Sequence, residues 1–250
     1  MGIFSIAPIN VPGGALPRIN RNDIVTLSEA EFASDGRHWI FDSGDAECLN
    51  GVSGGRALTL GDVTPTYVSN YIGLTNGPSD GLRTDLSDTN INEITMWAVA
   101  RQPAADGTNG NRFLIGNQTG SAGIGVMLSG SSSTLTVTAR MAASGNPYAV
   151  GTVSVNNWFF IAVSFRLITG SLAVRAKLNG DTVDSYTPLA GVVRANLPFA
   201  VGNYHYATGP AAAQFQFAEF GVVEALFSND DLDGLYQRAQ ARMALRGITI

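Results

Sequence analysis

The sequence predicts an all-β protein: a two-sheet antiparallel jelly-roll sandwich with an extended N-terminal arm and one C-terminal helix. Three observations carry that expectation. From Glu31 to Val223, short apolar or alternating runs are separated by turns rich in Gly, Asn and Ser, the pattern of a sandwich or barrel. Only one segment, close to the C-terminus, has helical spacing. The first 27 residues follow neither pattern.

Residues 1–27 contain Pro8, Pro12 and Pro17, the pair Gly13-Gly14, and short apolar pieces such as Ile3-Phe4. Proline has no N–H to give to a ladder and cannot occupy a central strand. The segment reads as an extended arm that packs on its own subunit or on a neighbour. Residues 28–250 read as one domain, since all-β domains often reach this length as a single unit.

Ile94–Ala100 (ITMWAVA) and Phe159–Phe165 (FFIAVSF) are apolar at nearly every position. Such runs suit central strands covered on both faces. Ile124, Val126 and Leu128 alternate with small residues. Leu135, Val137, Ala139 and Met141 alternate with Thr136, Thr138 and Arg140. Leu172, Val174, Ala176 and Leu178 point one way, and Ala173, Arg175 and Lys177 the other. Asn179-Gly180 then predicts a two-residue hairpin of type I′, which needs φ > 0 at both positions. Ser129–Thr134 and Arg101–Arg112 read as loops.

The helix is expected over 229–246. Ser228 stands at the N-cap with Asp231 three residues on, the spacing of a capping box. Asp230, Asp231 and Asp233 complement the positive end of the helix dipole, and Arg238, Arg242 and Arg246 the negative end. Leu232, Leu235, Tyr236, Ala239 and Met243 form one apolar stripe. Gly247 suits the C′ position that ends a helix. Gly234 inside it costs ~1 kcal/mol against Ala, so the helix must dock to be stable.

Cys48 is the sole cysteine, which excludes an internal disulfide and a Cys-based structural zinc site. A net charge of −5 argues against nucleic acid, whose binding needs a basic surface. No run of ~18 apolar residues and no leader-like N-terminus are evident, so neither membrane insertion nor export is expected. Fourteen of the fifteen Lys and Arg residues are Arg, with Lys177 the exception; rigid bidentate pairing would be a functional reason, but codon bias in a GC-rich genome is the favoured one.

Four segments in order resemble the concanavalin A-like, laminin G-like jelly roll of bacterial and phage proteins. They are Trp39–Asp45, Ile94–Arg101, Trp158–Gly180 and Ala218–Thr249. The likeness spans residues 30–250 and speaks to fold more than to function, because one fold hosts many functions. It implies an extracellular or virion setting. It also raises glycan hydrolysis, calcium and sugar binding as questions for the residues.

Hydrolysis needs paired carboxylates at a set separation. Glu219 falls on the Phe215/Phe217 face by alternation, without a carboxylate beside it, and reads as a sheet-to-helix anchor paired with an Arg. No catalytic residue is expected. His38 and His205 are the only histidines, too few for a three-histidine metal site. The loops with Asp42/Asp45 and Asp106/Asn109/Asn111 are the candidates for calcium. Asx residues in turns more often serve local hydrogen bonds, so no cofactor is expected. For sugar, the best patch is Asn203-Tyr204-His205-Tyr206, where the two Tyr rings share one side if the chain stays extended. Trp39, Trp97 and Trp158 are expected in the core.

The function expected from this is a non-enzymatic structural component of a phage or phage-like virion, made in a host cytoplasm. It would assemble through its arm with copies of itself and other virion proteins. The alternative is a lectin-like adhesin module that binds host-surface glycans.

Overall fold

The computed structural model describes residues 37–52, 56–103, 111–130, 134–141, 148–168, 174–185, 193–206 and 214–250. The N-terminal arm lies outside them. The described residues build two antiparallel sheets. The first runs β13 (Asp181–Ser185), β12 (Val174–Leu178), β11 (Phe159–Arg166), β6 (Glu93–Arg101), β15 (Gln214–Val223), β4 (Tyr71–Thr75) and β3 (Thr66–Val68). Beside β4, β1 (His38–Ile40) also pairs with β15. The second sheet runs β10 (Tyr148–Ser154), β9 (Thr134–Met141), β8 (Ile124–Ser129), β7 (Arg112–Gly116), β14 (Pro198–Val201), β5 (Leu82–Ser87) and β2 (Thr59–Leu60).

The strands that are apolar on both faces sit where the first sheet is covered twice. Ile94, Met96, Ala98 and Ala100 of β6 enter the core between the sheets, together with Ile161, Val163, Phe199 and Val201. Trp97 and Val99 face outward with Phe160 and Ala162, beneath helix α1 (Asn229–Ala244). Its stripe docks as the spacing requires. Leu232, Leu235, Ala239 and Met243 are fully buried, and Tyr236 lies against Phe160 at 5.4 Å between ring centroids.

The Ser228 hydroxyl accepts from the Asp231 N–H at 3.2 Å, and the Asp231 carboxylate accepts from the Ser228 N–H at 2.9 Å. The capping box is therefore complete. The helix ends at Ala244, two residues short of the expected 246. Gly247 takes φ +70°, and its N–H returns to the Ala244 carbonyl while Ile248 N–H returns to Met243. This paired closure consumes the last carbonyls and ends the helical ladder early.

Two local expectations are corrected. A β-bulge on β15 between Phe217 and Glu219 reverses the alternation. Phe215 and Phe217 enter the inter-sheet core, while Glu219 turns outward beneath the helix. An extra residue on one strand shifts every following side chain to the other face. At the β12–β13 hairpin, only Asn179 has positive φ (+50°), so the turn is not type I′. Asn179 instead continues the β11 ladder: its N–H donates to the Phe160 carbonyl and its side-chain oxygen accepts from the Phe160 N–H.

Candidate functional site

Pairing between β14 and β5 places Ala200 opposite Arg83, on the outer face of the second sheet. The chain leaving β14 then folds back over that face. Asn203, buried, fixes the turn. Its amide donates to the Asn76 carbonyl at 2.9 Å, its side-chain oxygen accepts from Tyr206 N–H at 3.1 Å, and its own carbonyl accepts from Gly81 N–H. The His205 Nε2 lies 2.7 Å from the Pro198 carbonyl. Burial lowers the His205 pKa below its ordinary value, against an opposing pull from that hydrogen bond, so the ring is neutral at pH 7.

The predicted patch is thus brought together, though not as an extended strip. Tyr206 packs on Phe113, 4.4 Å between centroids. Tyr204 contacts the His205 ring edge-on at 4.8 Å and carries the Arg83 guanidinium 5.5 Å above its ring. Tyr204, His205 and Arg83 are each half-buried. The Tyr204 hydroxyl, the His205 Nδ1 and the Arg83 guanidinium have no hydrogen-bond partner among the described residues. Two residues along β5 on the same face, Asp85 receives Arg37 at 2.7 Å and Arg56 at 2.6 Å. Burial raises the Asp85 pKa and the two guanidinium groups pull it below its ordinary value, the larger net effect.

Sequence reasoning missed Arg83, Arg37 and Arg56. They stand over a hundred residues from Tyr204, and only strand register joins them.

Glu219 forms a different kind of cluster. Its carboxylate is fully buried and accepts from Arg242 Nε and Nη2 at 3.0 and 2.5 Å and from Trp97 Nε1 at 3.0 Å, with His38 Nε2 also at 3.0 Å. Burial alone would raise its pKa; Arg242 and the His38 hydrogen bond hold it well below the usual carboxylate range. No second carboxylate joins it among these contacts, and α1 closes it from water. This is the sheet-to-helix anchor expected from the sequence.

Trp39 and Trp97 are fully buried, as expected, whereas Trp158 is half-buried on the outer face of the first sheet. Arg101 lies 4.7 Å over its ring and is held by Gln216, with Tyr71 5.8 Å away. Trp158 precedes β11 and packs, half-buried, against the apolar cluster beneath α1.

Of the proposed calcium ligands, Asp45 caps the short 3-10 turn Ala46–Leu49 and accepts from Ser43 Oγ at 2.8 Å and Glu47 N–H at 2.9 Å. Asp106 and Asn109 lie outside the described residues. Among the described residues no group of three or more His, Cys, Asp or Glu is placed to hold a metal. Cys48 is buried and its Sγ lies 3.0 Å from the Asp45 carbonyl; burial pushes its pKa up to about 11.

No protein-family profile matches the chain, and no curated protein sequence matches it. Solved structures do match. The binding domain of botulinum neurotoxin serotype D aligns with a TM-score of 0.56 and 11% identity, over 84% of this chain and 52% of that one. The same toxin's ligand-binding domain in complex with N-acetylneuraminic acid gives 0.56 and 10%, with the same coverage. The binding domain of Paraclostridial Mosquitocidal Protein 1 gives 0.54 and 14%, over 82% and 52%. This chain spans about half the length of each. At these identities the likeness is one of fold, a two-sheet β sandwich shared with the binding domains of toxins.

Proposed function

We propose that the protein is a non-enzymatic, lectin-like module that binds glycans through the outer face of its second sheet. The observation that carries this is the Tyr204–His205–Arg83 surface. It offers a half-buried aromatic ring for the apolar face of a sugar, and uncommitted polar groups around it for the hydroxyls. Support also comes from the fold neighbours, one of which is a binding domain in complex with N-acetylneuraminic acid. The concanavalin A-like and laminin G-like resemblance, part of the same proposal, points the same way. Screening on a glycan array, followed by calorimetry with Tyr204→Ala, tests it. The wild type binds at least one glycan class and Tyr204→Ala loses that binding with an unchanged melting temperature. Binding that survives Tyr204→Ala places the site elsewhere.

A role in a phage particle rests on the arm, residues 1–27, which lies outside the described residues. Deleting the arm tests it: loss of assembly by light scattering, with the monomer still folded, supports a particle role, and an unchanged oligomeric state removes it.

A further inference from the structure

We propose that the sugar bound at Tyr204 carries an anionic group, a carboxylate or a sulfate, and that Arg83 is its anchor. This rests on the glycan-binding reading above and names the chemistry of the same site.

Arg242 is spent on Glu219, Arg166 on Glu93 and Arg101 on Gln216, while Arg194 and Arg246 are spent on backbone carbonyls. Removing a guanidinium from water is costly unless its N–H groups find acceptors. Arg83 is half-buried and lies 5.5 Å over the Tyr204 ring, yet its guanidinium makes no hydrogen bond among the described residues. Cation–π attraction to the ring leaves the guanidinium N–H groups available to a carboxylate or sulfate, which they can take through two parallel hydrogen bonds.

Arg37 and Arg56 bind Asp85, next to Arg83 on the same face of β5. His205 adds no charge at neutral pH and offers Nδ1 for a hydroxyl, as Tyr204 offers its phenol. A neutral sugar gives Arg83 only hydroxyl acceptors, whereas an acidic sugar gives it a charged, bidentate one, the stronger partner.

The test compares matched pairs of immobilised glycans on the full chain: 3′-sialyllactose against lactose for a carboxylate, and a 3-O-sulfated galactoside against its unsulfated parent for a sulfate. The expected result is binding of one acidic member roughly ten- to hundredfold tighter than its neutral partner, the scale of charge-assisted hydrogen bonds. Preference within the first pair assigns a carboxylate and within the second a sulfate. The preference shrinks as NaCl is raised to about 0.5 M, disappears in Arg83→Gln, and returns in part in Arg83→Lys. Equal binding of acidic and neutral members, or a preference that Arg83→Gln retains, overturns the anion while leaving glycan binding in place. Absence of binding to every glycan, on these pairs and on the array, overturns both.

Discussion

Glu219 and Gly221 show how single residues set the outer face of the first sheet. The Glu219 carboxylate neutralises Arg242 away from water, and removing one partner of such a pair typically costs ~3–5 kcal/mol because the other charge is left uncompensated. Glu219→Gln keeps the shape and removes the charge, so its melting temperature should fall clearly. The pH dependence has a definite sign. The folded carboxyl is held below its unfolded value, so its stabilising contribution is present above the ordinary Glu pKa of ~4.3 and is lost as pH falls through the folded value. The gap between wild type and Glu219→Gln should stay flat from about pH 8 to 5 and narrow below about pH 4; a gap that narrows already at pH 6 would contradict this. Gly221 makes the indole donor available. A Cβ there would sit 2.0 Å from the Trp97 ring, so Gly221→Ala must displace Trp97 and should quench the helix-to-sheet packing, seen as a red-shifted tryptophan emission. Cys48, with its pKa raised to about 11 by burial, should resist a thiol reagent at pH 8 until the protein unfolds.

Among the elements, α1 was the most legible in the sequence, because capping, charge order and apolar spacing all act within one stretch of chain. Its stripe, its capping box and its glycine stop appear as read. The arginines were read less well. The dipole argument places Arg242 and Arg246 toward the negative end of the helix and names no partner for either, whereas Arg242 turns into Glu219 and Arg246 bonds the carbonyls of Phe41, Asn70 and Ala218. Those partners come from the middle of β15, the turn between β3 and β4 and the end of β1, and carry no local signal. The face of Glu219 was misjudged for a related reason. Alternation is local and a bulge shifts it. A docked helix makes a sharp prediction. Leu235 is fully buried, so Leu235→Ala should cost ~2–5 kcal/mol, whereas exposed Gln237→Ala should leave the melting temperature unchanged. Equal melting of the two variants would mean that α1 is not held by this stripe.

At the scale of the molecule, the fold class followed from the sequence, but the site did so only in half. Tyr204 and His205 are neighbours in the chain and were visible as an aromatic patch; Arg83 joins them only through the pairing of β5 with β14. The same long-range logic governs how the protein comes apart. The first sheet is shared by two apolar clusters, one between the sheets and one under the helix. Residues 94 to 100 of β6 feed both in alternation, so neither cluster can open without exposing the other face of the same strands. A helix of this length with an internal glycine is marginal alone, and its stability is borrowed from Trp97, Phe160 and Glu219. The helix and the sandwich should therefore unfold in one transition: ellipticity at 222 nm, dominated by α1, and fluorescence of Trp39 inside the sandwich, read in a Trp97→Phe, Trp158→Phe background, should give the same denaturant midpoint. Leu235→Ala should move both midpoints together. A helix signal lost well before the tryptophan signal would show that α1 undocks independently and that the outer face of the first sheet opens in the folded protein.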